Sequence, residues 1–228
     1  MKFDALMIDF YGTIAAGDHE AVESTCAAIV ETCGLPVTAA ELAVIWGERF
    51  FQTIDASNHD AFRTLYECEL TSLRETLAGF GQSPDPALFV QSLEDYWRDP
   101  PVHSDALELL RGLRDRKVPV CCVSNADCEA LEAAMKRHDL RFDHVVCSEM
   151  ARCYKPDEGI FQRALEALGT AAHRVLHVGD SLHSDIGGAV KLGINAAWIC
   201  RERRIHDVGT CRPWRTISNL AELRGLLG

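Results

Sequence analysis

Hydrophobic positions fall into two textures along this chain. From about Asp18 to Trp97 they recur at three- and four-residue spacing: Val22, Cys26, Ile29 and Val30, then Leu42, Ile45, Trp46 and Phe50, then Phe62, Leu65, Tyr66, Leu70 and Leu73. That spacing lines apolar side chains along one stripe of a helix. Breaks at Gly34-Leu35-Pro36, at Ser57-Asn58 and from Gly79 to Pro86 divide the stretch into about four helices, a small bundle. From Val102 onward the period alternates. Helical patterns over 105–116, 126–138, 158–168, 186–192 and 218–227 are separated by short apolar runs at 118–123, 145–147, 175–178 and 194–199. A further apolar run, residues 3–8, opens the chain. Short apolar strands alternating with helices build a parallel sheet covered on both faces. The expected fold is therefore α/β, a Rossmann-like doubly wound parallel sheet, with the helical bundle inserted after its first strand. Residues 1–14 and 98–228 form the core and 15–97 the insert.

Composition narrows the setting. Apolar residues make up 47% and charged residues 25% of the 228 positions, ordinary values for a globular protein. No window reaches the roughly 18 apolar residues of a membrane span, and no basic region precedes a long apolar stretch at the N-terminus. The expectation is a soluble, cytoplasmic protein. None of the ten cysteines forms a C-x-x-C pair; Cys121-Cys122 lie in an apolar run, and Cys26 and Cys33 in a helical one, so they read as buried free thiols. The net charge of −11 is concentrated in the insert, where Ala15 to Asp95 holds 14 acids, three arginines and no lysine. Such a surface repels phosphate backbones, which excludes nucleic acid as an expected partner. Nothing in the pattern distinguishes a monomer from a homodimer.

Four polar signatures follow apolar runs, where open α/β sheets keep their chemistry. Asp9-Phe10-Tyr11-Gly12-Thr13 places a carboxylate at a strand end, suited to nucleophilic attack, with a glycine for the turn and a hydroxyl for the transferred group. Ser124-Asn125 supplies uncharged donors for an anionic group, although the same residues serve equally as a helix cap. Lys155-Pro156-Asp157 offers a point charge ahead of a helix. Gly179-Asp180 followed by Asp185 sets two carboxylates across a strand-to-helix turn, the donor type that magnesium prefers.

Together, and in this order, the four signatures resemble the haloacid dehalogenase (HAD) superfamily, and the helical insert looks like the small α-helical cap of its first subclass. The resemblance implies that Asp9 is the nucleophile, that Thr13, Ser124 and Asn125 hold the transferred group, and that Lys155 neutralises nucleophile and substrate. It also implies a magnesium site built from Asp9, the main-chain carbonyl of Tyr11, Asp180 and Asp185.

One position departs from the pattern. Phosphatases of the superfamily carry Asp-x-Asp-Gly-Thr, and Tyr11 stands where their general acid/base belongs. A tyrosine, with a pKa near 10, is a poor base at neutral pH. The L-2-haloacid dehalogenases carry tyrosine there and expel halide without a metal. Their fourth motif, however, replaces Gly-Asp by Ser-Ser-Asn, and their cap has an arginine after a tryptophan, where this chain has Gly47 after Trp46 and Arg49 two residues on. A cap without lysine excludes the Schiff-base chemistry of phosphonoacetaldehyde hydrolase. The first expectation is therefore magnesium-dependent hydrolysis of a small phosphorylated metabolite through an aspartyl-phosphate at Asp9. The alternatives are a metal-independent 2-haloacid dehalogenase-like hydrolase and a catalytically weak HAD-fold binding protein. Arg49 and Arg63 are the scarce cations expected to grip an anionic substrate from the cap.

Overall fold

Every residue of β1 (Ala5–Ile8) is apolar and buried, because the strand lies in the interior of a sheet covered on both sides. The computed structural model describes residues 2–201 and 211–228. After β1 the chain forms four helices, α1 (Asp18–Cys33), α2 (Ala39–Asp55), α3 (Leu65–Gly79) and α4 (Ala87–Arg98), and returns through α5 (Ser104–Asp115). It then runs β2 (Val120–Ser124), α6 (Cys128–Arg137), β3 (His144–Cys147), the single turn α7 (Ser148–Ala151), α8 (Glu158–Leu168) and β4 (Val175–Gly179). A π-turn over Leu182–Ile186 leads into α9 (Gly187–Lys191), followed by β5 (Asn195–Ile199) and β6 (Arg215–Ile217).

The six strands pair in parallel in the order β3-β2-β1-β4-β5-β6. Register aligns Ile8 with Cys122 on one side and with Val178 on the other. The residues that follow β1, β2 and β4 thus emerge along one edge. Alternation along β1 divides the core: Leu6 and Ile8 pack with Leu109 and Leu113 of α5 and Leu131 of α6, while Ala5 and Met7 pack with Ile160 and Phe161 of α8 and Ala189 of α9.

The inserted helices have an apolar cluster of their own, including Cys26, Ile29, Leu42, Trp46, Leu73, Leu77, Val90 and Leu93. Thr38 with Glu41 and Thr64 with Glu67 close reciprocal capping boxes at the starts of α2 and α3. The insert is also fastened to the core. Both carboxylate oxygens of Asp127, just ahead of α6, accept hydrogen bonds from the Leu65 and Tyr66 amides at 2.7 and 2.9 Å, so a core acid caps a helix of the insert. On the other side, Asn58 Oδ1 accepts the Tyr154 amide at 2.7 Å, and the Tyr154 hydroxyl donates to the Arg63 carbonyl at 2.7 Å.

Two stretches differ from the pattern reading. The helix expected over 218–227 is instead a short 3₁₀ turn, Leu220–Leu223, preceded by the sixth strand. Leu220 and Leu223 are both buried, and their three-residue spacing suits a 3₁₀ turn as well as an α-helix. The three residues of β6 lie at the sheet edge, two of them exposed, and carry no apolar run to announce a strand. Asp185 does not open the last core helix but sits inside the π-turn that precedes α9. Among the described residues no helix is long and apolar enough to cross a membrane.

Glu69 is a polar exception inside the insert: only 9% of it is exposed, and burial, reinforced by the nearby Asp18, lifts its carboxyl to about 8. A carboxyl whose pKa is raised by folding carries no penalty below its ordinary value of 4.5, and destabilises progressively as the pH rises toward 8. Glu69→Gln is therefore expected to raise stability above pH 8 by an amount of order 4 kcal/mol and to leave it unchanged near pH 4.5. Urea unfolding at the two pH values checks this; an equal effect at both would show that Glu69 is not neutral in the folded protein.

Candidate active site

Asp9 directly follows β1, and its amide donates to the Val178 carbonyl at 2.9 Å, continuing the register with β4 for one more residue. The chain then turns sharply. Gly12 has φ +86°, a conformation that glycine adopts without steric cost, and the Ile14 and Ala15 amides both donate to the Phe10 carbonyl at 2.8 Å. The turn leaves Asp9 at 5% exposure and Thr13 fully buried.

The Lys155 ammonium sits between two carboxylates. It donates to Asp9 Oδ1 at 2.6 Å, to Asp185 Oδ1 at 2.7 Å and to the Val123 carbonyl at 3.1 Å, so its three protons have three acceptors. All three ionisable groups are buried. Burial alone would push the Lys155 ammonium down, but Asp185 and Asp9 outweigh it and hold the pKa above the ordinary lysine value. For Asp185 burial opposes ionisation, and Lys155 and His177 overcome it, leaving the carboxyl well below the usual range. For Asp9 burial dominates: despite Lys155 its carboxyl is raised, with Asp185 contributing to the rise.

Two neighbours fix Asp185. His177, fully buried in β4, brings Nε2 to 3.0 Å from Asp185 Oδ1; since an ionised carboxylate only accepts, that nitrogen carries the proton. The Ser181 amide donates to Asp185 Oδ2 at 3.1 Å. The carboxylate also packs flat against Gly179, where an added Cβ would lie 2.0 Å from Asp185 Cγ, so no larger residue fits. His177 escaped the pattern reading, although a histidine within the run Val175–Val178 was a visible signal.

The remaining residues divide by what their side chains do. Thr13 Oγ1 and Ser124 Oγ are buried without a hydrogen-bond partner among the described residues, and both belong to this strand edge. Asn125 is engaged elsewhere: its Oδ1 accepts the Lys155 amide at 2.7 Å and its Nδ2 donates to the Lys155 carbonyl at 3.2 Å, so the side chain positions the lysine. Tyr11 points toward the insert. Its hydroxyl donates to the Trp97 carbonyl at 2.7 Å, its ring meets Phe10 and Tyr96, and burial holds the phenol far above its ordinary pKa of 10.0. Arg49 is half exposed and 3.7 Å from Glu75 on α3, and Arg63 is exposed.

Asp9, Asp180 and Asp185 each offer a carboxylate oxygen, and these lie within 4.8 Å of one another. Three buried hard-oxygen donors at that separation fit a divalent cation such as magnesium. The same cluster already has an internal cation, because Lys155 joins Asp9 to Asp185.

The lysine is the group whose loss should cost most. Lys155→Met would leave two buried carboxylates facing each other without a counterion, a change worth about 3–5 kcal/mol. Urea unfolding in EDTA is expected to show a loss of that size; an unchanged midpoint would mean that the carboxylates find another partner.

An (S)-2-haloacid dehalogenase of Pseudomonas putida is 23% identical over 223 residues, 96% of this chain and 96% of its own length. The pyrimidine 5'-nucleotidase YjjG of Escherichia coli is 34% identical over 125 residues, 54% of this chain and 55% of its own. In three dimensions the HAD-hydrolase YfnB of Bacillus subtilis superposes with a TM-score of 0.78 at 21% identity, covering 99% of this chain and 98% of that one. The family model for haloacid dehalogenase-like hydrolases matches residues 3–193, a span that holds Asp9, Ser124, Lys155, Asp180 and Asp185 alike, and the chain belongs to that family.

Proposed function

We propose that this hydrolase cleaves a carbon–halogen bond next to a carboxylate, through an ester at Asp9 and without a metal. The observation that carries the reading is the Tyr11 hydroxyl, bonded to the Trp97 carbonyl at 2.7 Å. At the position where a phosphatase would keep its acid, this chain has a phenol turned toward a peptide carbonyl and held protonated. A halide departs with its electron pair and needs no proton, so the missing acid costs that reaction nothing. The full-length similarity to an (S)-2-haloacid dehalogenase supports the same choice. It reverses the order implied by the spelling of the fourth motif.

In this reading an ionised Asp9 oxygen attacks the carbon bearing the halogen; the C–O bond forms as the C–X bond breaks, and halide leaves. Lys155 opposes the effect of burial on Asp9 and so favours its ionised form. Thr13 Oγ1 and Ser124 Oγ are the donors for the substrate carboxylate. Water then adds to the ester carbonyl, the hydroxy acid departs and Asp9 is regenerated. Asp180, in the cluster with Asp9, is the carboxylate suited to orient that water.

A second reading is favoured by Asp180 itself: magnesium-dependent hydrolysis of a phosphorylated metabolite, with Asp9, Asp180 and Asp185 holding the ion. When bound, the ion would supply charge neutralisation at the phosphoryl oxygens. With no acid at Tyr11, such an enzyme would favour substrates whose leaving group departs unprotonated.

Halide release from a panel of short 2-haloacids, in magnesium and in EDTA, separates the two. Equal release in both conditions is expected, abolished by Asp9→Asn. Tyr11→Phe should keep turnover within about tenfold, against the 10²–10⁴ lost when a general acid is removed. Phosphate release that requires magnesium, with no halide release, would overturn the first reading in favour of the second.

A further inference from the structure

We propose that Cys128 and Cys147 form a redox pair that closes to a disulfide and locks the strand-end segment carrying Ser124, Asn125 and Asp127. The sulfur atoms are 3.2 Å apart, about 1 Å more than a disulfide bond. Cys128 is the first residue of α6 and Cys147 the last of β3, so the pair bridges two neighbouring elements at the chemical edge of the sheet.

The surrounding hydrogen bonds hold the two segments in this register. The Ala126 amide donates to Ser148 Oγ at 2.9 Å, and the Ser148 hydroxyl donates back to the Ala126 carbonyl at 2.9 Å. The Cys128 amide donates to Glu149 Oε2 at 2.6 Å. Ala126 and Cys128 are thus tied to Ser148 and Glu149, and the two sulfurs lie beside these bonds. Cys128 is partly exposed and Cys147 is 1% exposed, so an oxidant reaches Cys128 first.

With a peroxide as oxidant, one peroxide oxygen is transferred to the Cys128 sulfur, giving a sulfenic acid and water; the Cys147 sulfur displaces the hydroxyl, and the S–S bond forms with loss of a second water. Two thiols are oxidised and one hydrogen peroxide is reduced to two waters. Burial raises both thiols, with the adjacent thiol and Glu149 adding to the rise at Cys128 and the Cys128 thiol opposing it at Cys147, which makes this step slow rather than impossible.

The consequence reaches the inserted helices. Asp127 immediately precedes Cys128 and holds the Leu65 and Tyr66 amides of α3. Fixing the first turn of α6 to β3 therefore restrains the acid that fastens the insert to the core.

The test is to incubate the full chain for hours with excess hydrogen peroxide and digest it without reduction. The expected product is a single Cys128–Cys147 cross-linked peptide pair, 2 Da lighter than its two thiol peptides and reversed by dithiothreitol. The oxidised protein should melt several degrees higher, because closing a loop of this length restricts the unfolded chain. Hydrogen exchange at the Leu65 and Tyr66 amides should slow. Cys128→Ser should show none of these changes, and Cys147→Ala gives the same control from the other side. Oxidation confined to other cysteines, with Cys128 and Cys147 still free, would overturn the proposal. A cross-link that leaves exchange at Leu65 and Tyr66 unaltered would overturn the coupling to the insert.

Discussion

The Lys155 ammonium, buried between Asp9 and Asp185, is the contact around which the rest of the site is arranged. A buried carboxylate is expensive, and two that face each other are more so. One ammonium with a proton for each carboxylate and a third for the Val123 carbonyl satisfies that arrangement completely. Its geometry brings the ends of β1, β2 and β4 together, since β1 leads directly into Asp9, β2 contributes the Val123 carbonyl and β4 contributes His177, which holds Asp185. A parallel sheet with β1 between β2 and β4 meets that demand. Asn125 clamps both main-chain polar groups of Lys155, and His177 fixes the far carboxylate, so the ammonium is held from both sides.

The two carboxylates do not share the lysine equally. Asp185 has the lysine, a histidine and a main-chain amide, and stays ionised. Asp9 has the lysine and the influence of a neighbouring negative charge, and its proton affinity is raised. In the proposed reading this asymmetry of partners matches the roles, with Asp185 anchoring the lysine and Asp9, less well stabilised as an anion, acting as the nucleophile. The open hydroxyls of Thr13 and Ser124 belong on the reactive side of that division, because an anion bound there would meet donors that the folded chain leaves without acceptors.

Much of this was legible in the residues. Alternating periods located five of the six strands and the helices between them within a few residues, since buried parallel strands are short apolar runs and the helices carry strong stripes. The four polar signatures were visible because each follows such a run. What escaped detection depends on contacts made far along the chain. Asn125 spelled a donor for substrate, yet it is occupied by Lys155, 30 positions away. Asp127 occupies the position just ahead of its own helix, yet its carboxylate caps a helix 62 residues earlier. The last strand was silent because three residues at a sheet edge carry too little apolar character. Local pattern specifies which element forms, whereas the partner of a polar side chain is settled only when the elements dock.

Tyr11 and Asp180 point to different chemistries, and their surroundings show which constraint is tighter. The Tyr11 ring packs against Phe10 and Tyr96, and its hydroxyl is bonded to the last turn of α4, so its position is determined by the junction between insert and core. Turning it toward Asp9 would leave a buried carbonyl without its donor and open the aromatic contact. Asp180 suits either chemistry. A carboxylate beside the nucleophile can bind a cation, but it can equally hold the water that opens an ester, and that step is required whichever bond is broken first. An acid at the position of Tyr11 is needed only for a leaving group that departs as an alkoxide. In the proposed reading the residue that the fold fixes disfavours one class of leaving group, while the residue that suits both chemistries disfavours neither, and the leaving group is therefore the property of the substrate on which the two readings part.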